Sequence, residues 1–293
     1  MHWIVEPGFF TSGPVHTALV LSAAAAVLSA VVGVFTVVRG QSFAGHALTD
    51  VSAAGGSGAL LAGVDPVVGF VGFGIFAAGV MDLVGVRRLR GRDLATGVVL
   101  GGATGLTALI LYLDTTSRAT TGATQQILFG SIFTVSQSTV PVAAGLSVAT
   151  LAVVAALYRP LLLSTLSTDI ARARGVPDRF VGMVFLGALS VAVGLSALTI
   201  GSILSTALLV GPAAAALRIT GRMGRSVATA SALGVGSSWL GILLAYDSYY
   251  WGSAHRGYPV SFCIVVVVFA VYLASGRVER IRRRRGPVRS AGV

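Results

Sequence analysis

From Val15 to Val38 the chain runs 24 residues without an Arg, Asp or Glu. At 1.5 Å per residue a helix of that length crosses the ~30 Å hydrocarbon core of a bilayer. Comparable runs recur along the chain: Ser42–Val64, Val67–Val86, Leu94–Leu113, Val135–Tyr158, Phe180–Leu198, Ile203–Leu217, Ser226–Ala245 and Val260–Ser275. Lipid offers no hydrogen bonds, so each run must satisfy its own backbone, and a helix does so within one segment. The pattern predicts an all-α integral membrane protein, a bundle of nine transmembrane helices, or eight if one short span is re-entrant.

Composition agrees. Only 11% of the 293 residues are charged, against the ~25% usual in soluble domains. The 38 glycines suit close helix contacts in lipid. All 21 basic residues are arginine. Without lysine there is no phosphate-cradling Gly-Lys-Ser/Thr loop and no Schiff-base chemistry, so nothing here reads as an enzyme. Cys263 is the single cysteine and can form no internal disulfide.

The arginines set the orientation. Nineteen of them fall in Arg39, the loops at 87–93, 159–179 and 218–225, and the C-terminal run, leaving Arg118 and Arg256 on the other side. That asymmetry places the N-terminus outside and the C-terminus in the cytoplasm. The positive charge is therefore membrane topology and excludes a nucleic-acid face. Residues 1–14 carry no Lys or Arg and read as an extracytoplasmic tail rather than a signal peptide. Residues 15–275 read as one transmembrane domain. Residues 276–293 form a basic cytoplasmic tail beside anionic lipid headgroups.

Within the second run stand His46 and Asp50, four residues apart. On a helix they share a face one turn apart. Asp50 lies 11 residues past Arg39, roughly 16 Å deep and near the midplane, where transport sites sit. Imidazole and carboxylate together suit a divalent transition metal. The competing reading is a buried pair that satisfies itself and only locks two helices. Elsewhere, Gly97, Gly101 and Gly105 predict a tight helix-packing face. Asp82 is expected to pair with Arg87 or Arg88. Thr168–Gly175 predicts a short helix ended by glycine.

Arg39, Ser42, Phe43, Gly45, His46, Leu48, Asp50 and Gly55 resemble the signature that follows the first span in the ABC-3 family, the permease subunits of ABC importers for zinc, manganese and iron. Asp169, Ala171, Gly175 and Val176 match its cytoplasmic loop, and Leu208 to Ala214 around Pro212 match a third motif. Leu128-Phe129-Gly130 is a weaker fourth. The family has aspartate first and histidine second; here the order is reversed, which keeps the ligand types and moves each donor one turn along the axis. Gly211 before Pro212 also departs from the pattern and predicts a looser helix.

The resemblance implies a multi-pass permease in a bacterial cytoplasmic membrane, importing manganese, zinc or iron as substrate and holding no permanent cofactor. It implies a homodimer whose two His46/Asp50 pairs face each other across a central pore, with Gly45, Gly55 and Pro212 shaping pore and packing. The 159–179 loop would couple, through Asp169, Ala171 and Gly175, to separate cytoplasmic ABC ATPase subunits. An extracytoplasmic metal-binding lipoprotein would deliver the ion, and Asp247 and His255 lie in the loop nearest it. Two other classes stay open on the residues: an ion-coupled secondary metal transporter, which would need further ionisable residues and inverted repeats, and a structural membrane protein.

Overall fold

The computed structural model describes Phe9 and residues 12–84, 92–117, 122–130, 132–251 and 257–285. Arg87, Arg88, Arg118, His255, Arg256 and residues 286–293 lie outside that set. The described residues form helices and no strands. In order these are α1 (Gly13–Val38), α2 (Ser42–Ala62), α3 (Pro66–Val84), α4 (Arg92–Ser117), α5 (Ala123–Phe129), a 3-10 turn (Ile132–Thr134), α6 (Thr139–Ala156), α7 (Tyr158–Leu166), α8 (Thr168–Ala173), α9 (Asp178–Ile200), α10 (Ser202–Ile219), α11 (Met223–Ser248) and α12 (Val260–Arg285).

Seven helices are long and apolar enough to cross a membrane: α1, α4, α6, α9, α10, α11 and α12. α3 is apolar over a shorter stretch, Pro66–Asp82. α2 has the length, with 21 residues, but carries Ser42, His46, Thr49, Asp50, Ser52 and Ser57. A helix so polar cannot face lipid, and it does not: α3, α4, α9 and α10 enclose it. α1 and α9 form the most enclosed part of the bundle, joined by a 2.6 Å hydrogen bond between Ser29 Oγ and Ser196 Oγ. Many other hydroxyls satisfy themselves on a carbonyl one turn back, as Thr36 does on Val32 and Thr107 on Ala103, each at 2.9 Å.

Glycine lets α2 come close to its neighbours. A Cβ at Gly55 would sit 2.3 Å from the Gly69 carbonyl oxygen of α3, and one at Gly45 would sit 2.9 Å from Leu209 Cδ2 of α10. Asp65 Oδ1 accepts from Val67 N at 2.9 Å and caps α3, with Pro66 at its first position.

Several sequence expectations need correction. The Gly97, Gly101 and Gly105 face packs on nothing among the described residues: a Cβ at any of them meets no atom within 4 Å, because α4 lies at the periphery. Gly211 does not loosen α10; it seats Val268 of α12, whose Cγ1 would lie 2.2 Å from an added Cβ. The polar stretch after Leu113 is still helical through Ser117, and Asp114 within it is buried. Part of the 159–179 connection is α7, which follows α6 after a break at Leu157. α12 continues beyond Ser275 to Arg285.

These contacts make unequal demands. Gly55→Ala is expected to cost about 1–3 kcal/mol by overpacking α2 against α3. Gly101→Ala should leave stability unchanged or slightly raised, since the site is open. Thermal unfolding of the two detergent-solubilised variants beside the wild type tests this, and equal melting temperatures would remove the close α2–α3 approach from the fold.

Candidate functional site

α2 carries both residues of the pair, and each is half-buried. Their partners differ. His46 Nδ1 lies 3.0 Å from Thr206 Oγ1 on α10. Asp50 Oδ2 accepts a 2.8 Å hydrogen bond from Thr104 Oγ1 on α4, and the Asp50 carbonyl accepts a 3.5 Å bond from Thr107 Oγ1. The partners are therefore hydroxyls on two other helices, and the reading of a His–Asp pair that satisfies itself loses its basis.

Beside Asp50 opens a cavity of about 480 Å³ between α2, α4, α5 and α10. Its polar lining is Asp50, Thr104, Thr107, Tyr112, Thr115, Thr124 and Ser202, on a wall otherwise apolar. Liquid water takes ~30 Å³ per molecule, so the space admits a cation with much of its hydration shell. Thr115, Thr124 and Ser202 belong to the helix ends opposite Arg39, so the cavity leads from that end to the carboxylate. Among the described residues no group of three or more His, Cys, Asp or Glu gathers around a point. Asp50 stands on the cavity wall and His46 does not; the two share α2 one turn apart, His46 turned to α10 and Asp50 to α4.

Arg39 stands at the other end of α1. Its guanidinium donates to Ser164 Oγ at 3.2 Å and Thr165 Oγ1 at 3.4 Å on α7, and lies 5.1 Å from the centre of the Phe185 ring of α9. α8 follows directly. Ser167 Oγ caps it by accepting from Ile170 N at 3.3 Å. It ends in a Schellman arrangement: Val176 N donates to Ala171 O at 3.0 Å and Gly175 N to Arg172 O at 2.9 Å. Gly175 holds φ at 73°, where a side chain is strained. Ala171 is buried, whereas Asp169 and Gly175 are exposed, and Leu166 and Ile170 expose 72% and 55% of their surface. A short, rigid projection with bare apolar side chains is suited to a protein partner.

Pro212 is buried inside α10, which continues through it. Asp247 is buried in the last turn of α11, so it offers no carboxylate to the surface. Nearby Tyr249, Trp251 and Tyr258 are exposed, as aromatics at a membrane interface are. Asp82 lines a groove with Arg179 between α3 and α9. Sequence reasoning missed Thr104 and Thr206. They lie 54 and 160 residues from their partners, and a lone threonine in an apolar run carries no signal of its own.

Residues 14–278 match the model of the ABC 3 transport family. The manganese transport system membrane protein MntC of Listeria innocua is 30% identical over 240 residues, 82% of this chain and 84% of its own length. The chelated iron transport system membrane protein YfeC of Yersinia pestis is 28% identical over 279 residues, 92% of each. Among solved structures, PsaBC from Streptococcus pneumoniae in complex with Fab is similar with a TM-score of 0.77 and 24% identity, covering 95% of this chain and 98% of that one. That likeness speaks for the fold.

Proposed function

We propose, from the premise that this chain belongs to the ABC 3 transport family, that it is the permease through which a divalent transition metal ion crosses the bacterial cytoplasmic membrane inward. The carrying observation is the half-buried His46 and Asp50 on an enclosed polar helix, with a threonine-lined cavity leading to the carboxylate. Ionisable side chains at that depth are expensive to keep and mark ion pathways. A carboxylate draws a hydrated cation down the cavity, and an imidazole one turn away supplies a nitrogen donor. Mixed N/O donors suit manganese, iron and zinc, and ligand type alone does not choose among them. The ion is cargo and is not retained.

In this reading α2 and α3 cross the membrane with the seven more apolar helices, which makes nine spans. The arginine-rich end is cytoplasmic, and the cavity opens outward toward an extracytoplasmic metal-binding lipoprotein. The chain works as a homodimer. Two donors per chain make half of a four-donor site, and the open Gly97, Gly101 and Gly105 face beside Thr104 leaves room for a second copy. The ATPase is a separate subunit: this chain has no lysine with which to build a phosphate-cradling loop. That subunit docks on α8 and the end of α7, where Ile170 and Leu166 are the apolar anchors and the glycine-ended turn at Gly175 fixes the path into α9.

His46→Ala and Asp50→Ala should each abolish metal uptake while the assembled transporter is still recovered in normal yield. The double variant should be no worse than either single one, because both donors act on one ion. Uptake assayed with Mn²⁺, Fe²⁺ and Zn²⁺ checks this, and wild-type uptake by both single variants removes the ion from this site. The exchange His46→Asp with Asp50→His should keep transport and change the preferred metal.

Gly175→Val replaces a left-handed residue and should cost about 1–2 kcal/mol locally. Because α8 projects from the bundle, the variant should still fold, yet uncouple uptake from ATP hydrolysis. Hydrolysis and uptake measured together in proteoliposomes decide the matter; unchanged coupling would make the segment a mere connector.

A further inference from the structure

α10 engages α2 through two consecutive side chains. Ser205 Oγ donates to Thr49 Oγ1 at 3.3 Å, and Thr49 itself donates to the Gly45 carbonyl at 3.0 Å. Thr206 Oγ1 meets His46 Nδ1 at 3.0 Å. Gly45 against Leu209 sets how close the two helices come, so this register follows from packing. Thr104 plays a less exclusive part at Asp50, because its one hydroxyl hydrogen is shared with the Leu100 carbonyl at 2.9 Å. The Thr206 hydroxyl has no second hydrogen-bond partner among the described residues and is committed to the imidazole.

We propose that Thr206 is a positioning residue of the metal path: it occupies His46 Nδ1, so that Nε2 is the nitrogen presented to the ion. The inference rests on the reading of His46 as a metal ligand. The two ring nitrogens are distinct, and the hydrogen bond made by one decides which role the other takes. A metal-bound imidazole carries its hydrogen on the far nitrogen, which here would donate to Thr206 Oγ1. A hydroxyl can also donate, since it has one O–H and two lone pairs. The same contact therefore serves the empty ring, with its hydrogen on Nε2, and the loaded ring, with its hydrogen on Nδ1. Nothing else has to move when the tautomer changes. A carboxylate in this place could only accept, would make the ring more basic and would hold the ion harder. A transport site has to let go as well as bind, and a neutral hydroxyl suits that balance.

The test uses cells that lack their own importer and express the whole transporter, with initial rates of Mn²⁺ uptake, and Zn²⁺ and Fe²⁺ in parallel. Thr206→Val removes the hydroxyl at constant shape and should raise KM about 10- to 100-fold, the range for losing the partner behind a ligating imidazole, with the maximal rate unchanged. Thr206→Ser keeps the hydroxyl and should retain the wild-type KM. Thr206→Asp should lower both KM and maximal rate, because release becomes slow. A wild-type KM for Thr206→Val with all three ions overturns the proposal. So does a Thr206→Ser variant as impaired as Thr206→Val, which would make the residue a packing element. Should the valine variant fail to assemble, Thr206→Ala is read by the same criteria. His46→Ala in the same assay separates the two levels. If it transports normally, the metal reading of the site fails; if it is dead while Thr206→Val is normal, only the role of Thr206 falls.

Discussion

The close approach of α2 to α3 and α10 is the constraint on which the rest of this bundle depends. In lipid there is no hydrophobic force to press one apolar helix on another, so association relies on backbone contact and hydrogen bonds. Gly55 beneath the Gly69 carbonyl and Gly45 beneath Leu209 provide the contact. The polar content of α2 makes it necessary: pushed outward by a single methyl layer, this helix would turn His46, Thr49 and Asp50 toward hydrocarbon. The glycines and the polar residues of α2 are thus two parts of one solution, one admitting the neighbours and the other needing them.

The buried polar groups are satisfied by neutral partners. Serines and threonines bond the preceding turn or one another, as Ser29 does with Ser196, and the two ionisable residues of α2 meet threonines rather than arginines. Among the described residues no cationic side chain pairs with the Asp50 carboxylate, which stands on the wall of a cavity of about 480 Å³. A salt bridge there would make a stable staple and a poor cation site, because the ion would compete with a guanidinium. Hydroxyl partners hold both side chains in place without setting a cation of the protein against the carboxylate.

At the arginine-rich end, Arg39 ties three elements together. It closes α1 just before the chain enters α2, bonds two residues of α7, and lies on the Phe185 ring of α9. α8, with its exposed Ile170, follows the exposed Leu166 at the end of α7 after a single extended residue, Ser167. A force applied at α8 therefore meets, within one side chain, the connector that leads to His46. That contiguity links α8 to the start of α2 through packed side chains and hydrogen bonds.

Much of this was legible in the sequence, because its causes are local. Long uncharged runs can only be helices in lipid, and a four-residue spacing puts His46 and Asp50 on one face whatever surrounds them. The glycine ending α8 was readable for the same reason, since the left-handed turn and its two hydrogen bonds involve only neighbouring residues. What the tertiary structure decided is which surfaces meet. Gly97, Gly101 and Gly105 carry the spacing of a packing face yet lie open, whereas Gly211, which reads as a loosening residue, seats Val268. Asp114 and Asp247 look like loop residues and are buried. Thr104 and Thr206 are ordinary in sequence and become partners of the pair only because α4 and α10 pack beside α2. Periodicity and charge act along the chain and can be read there; the choice of neighbour depends on side-chain volume and helix crossing summed over the whole bundle, and no stretch of sequence carries it alone.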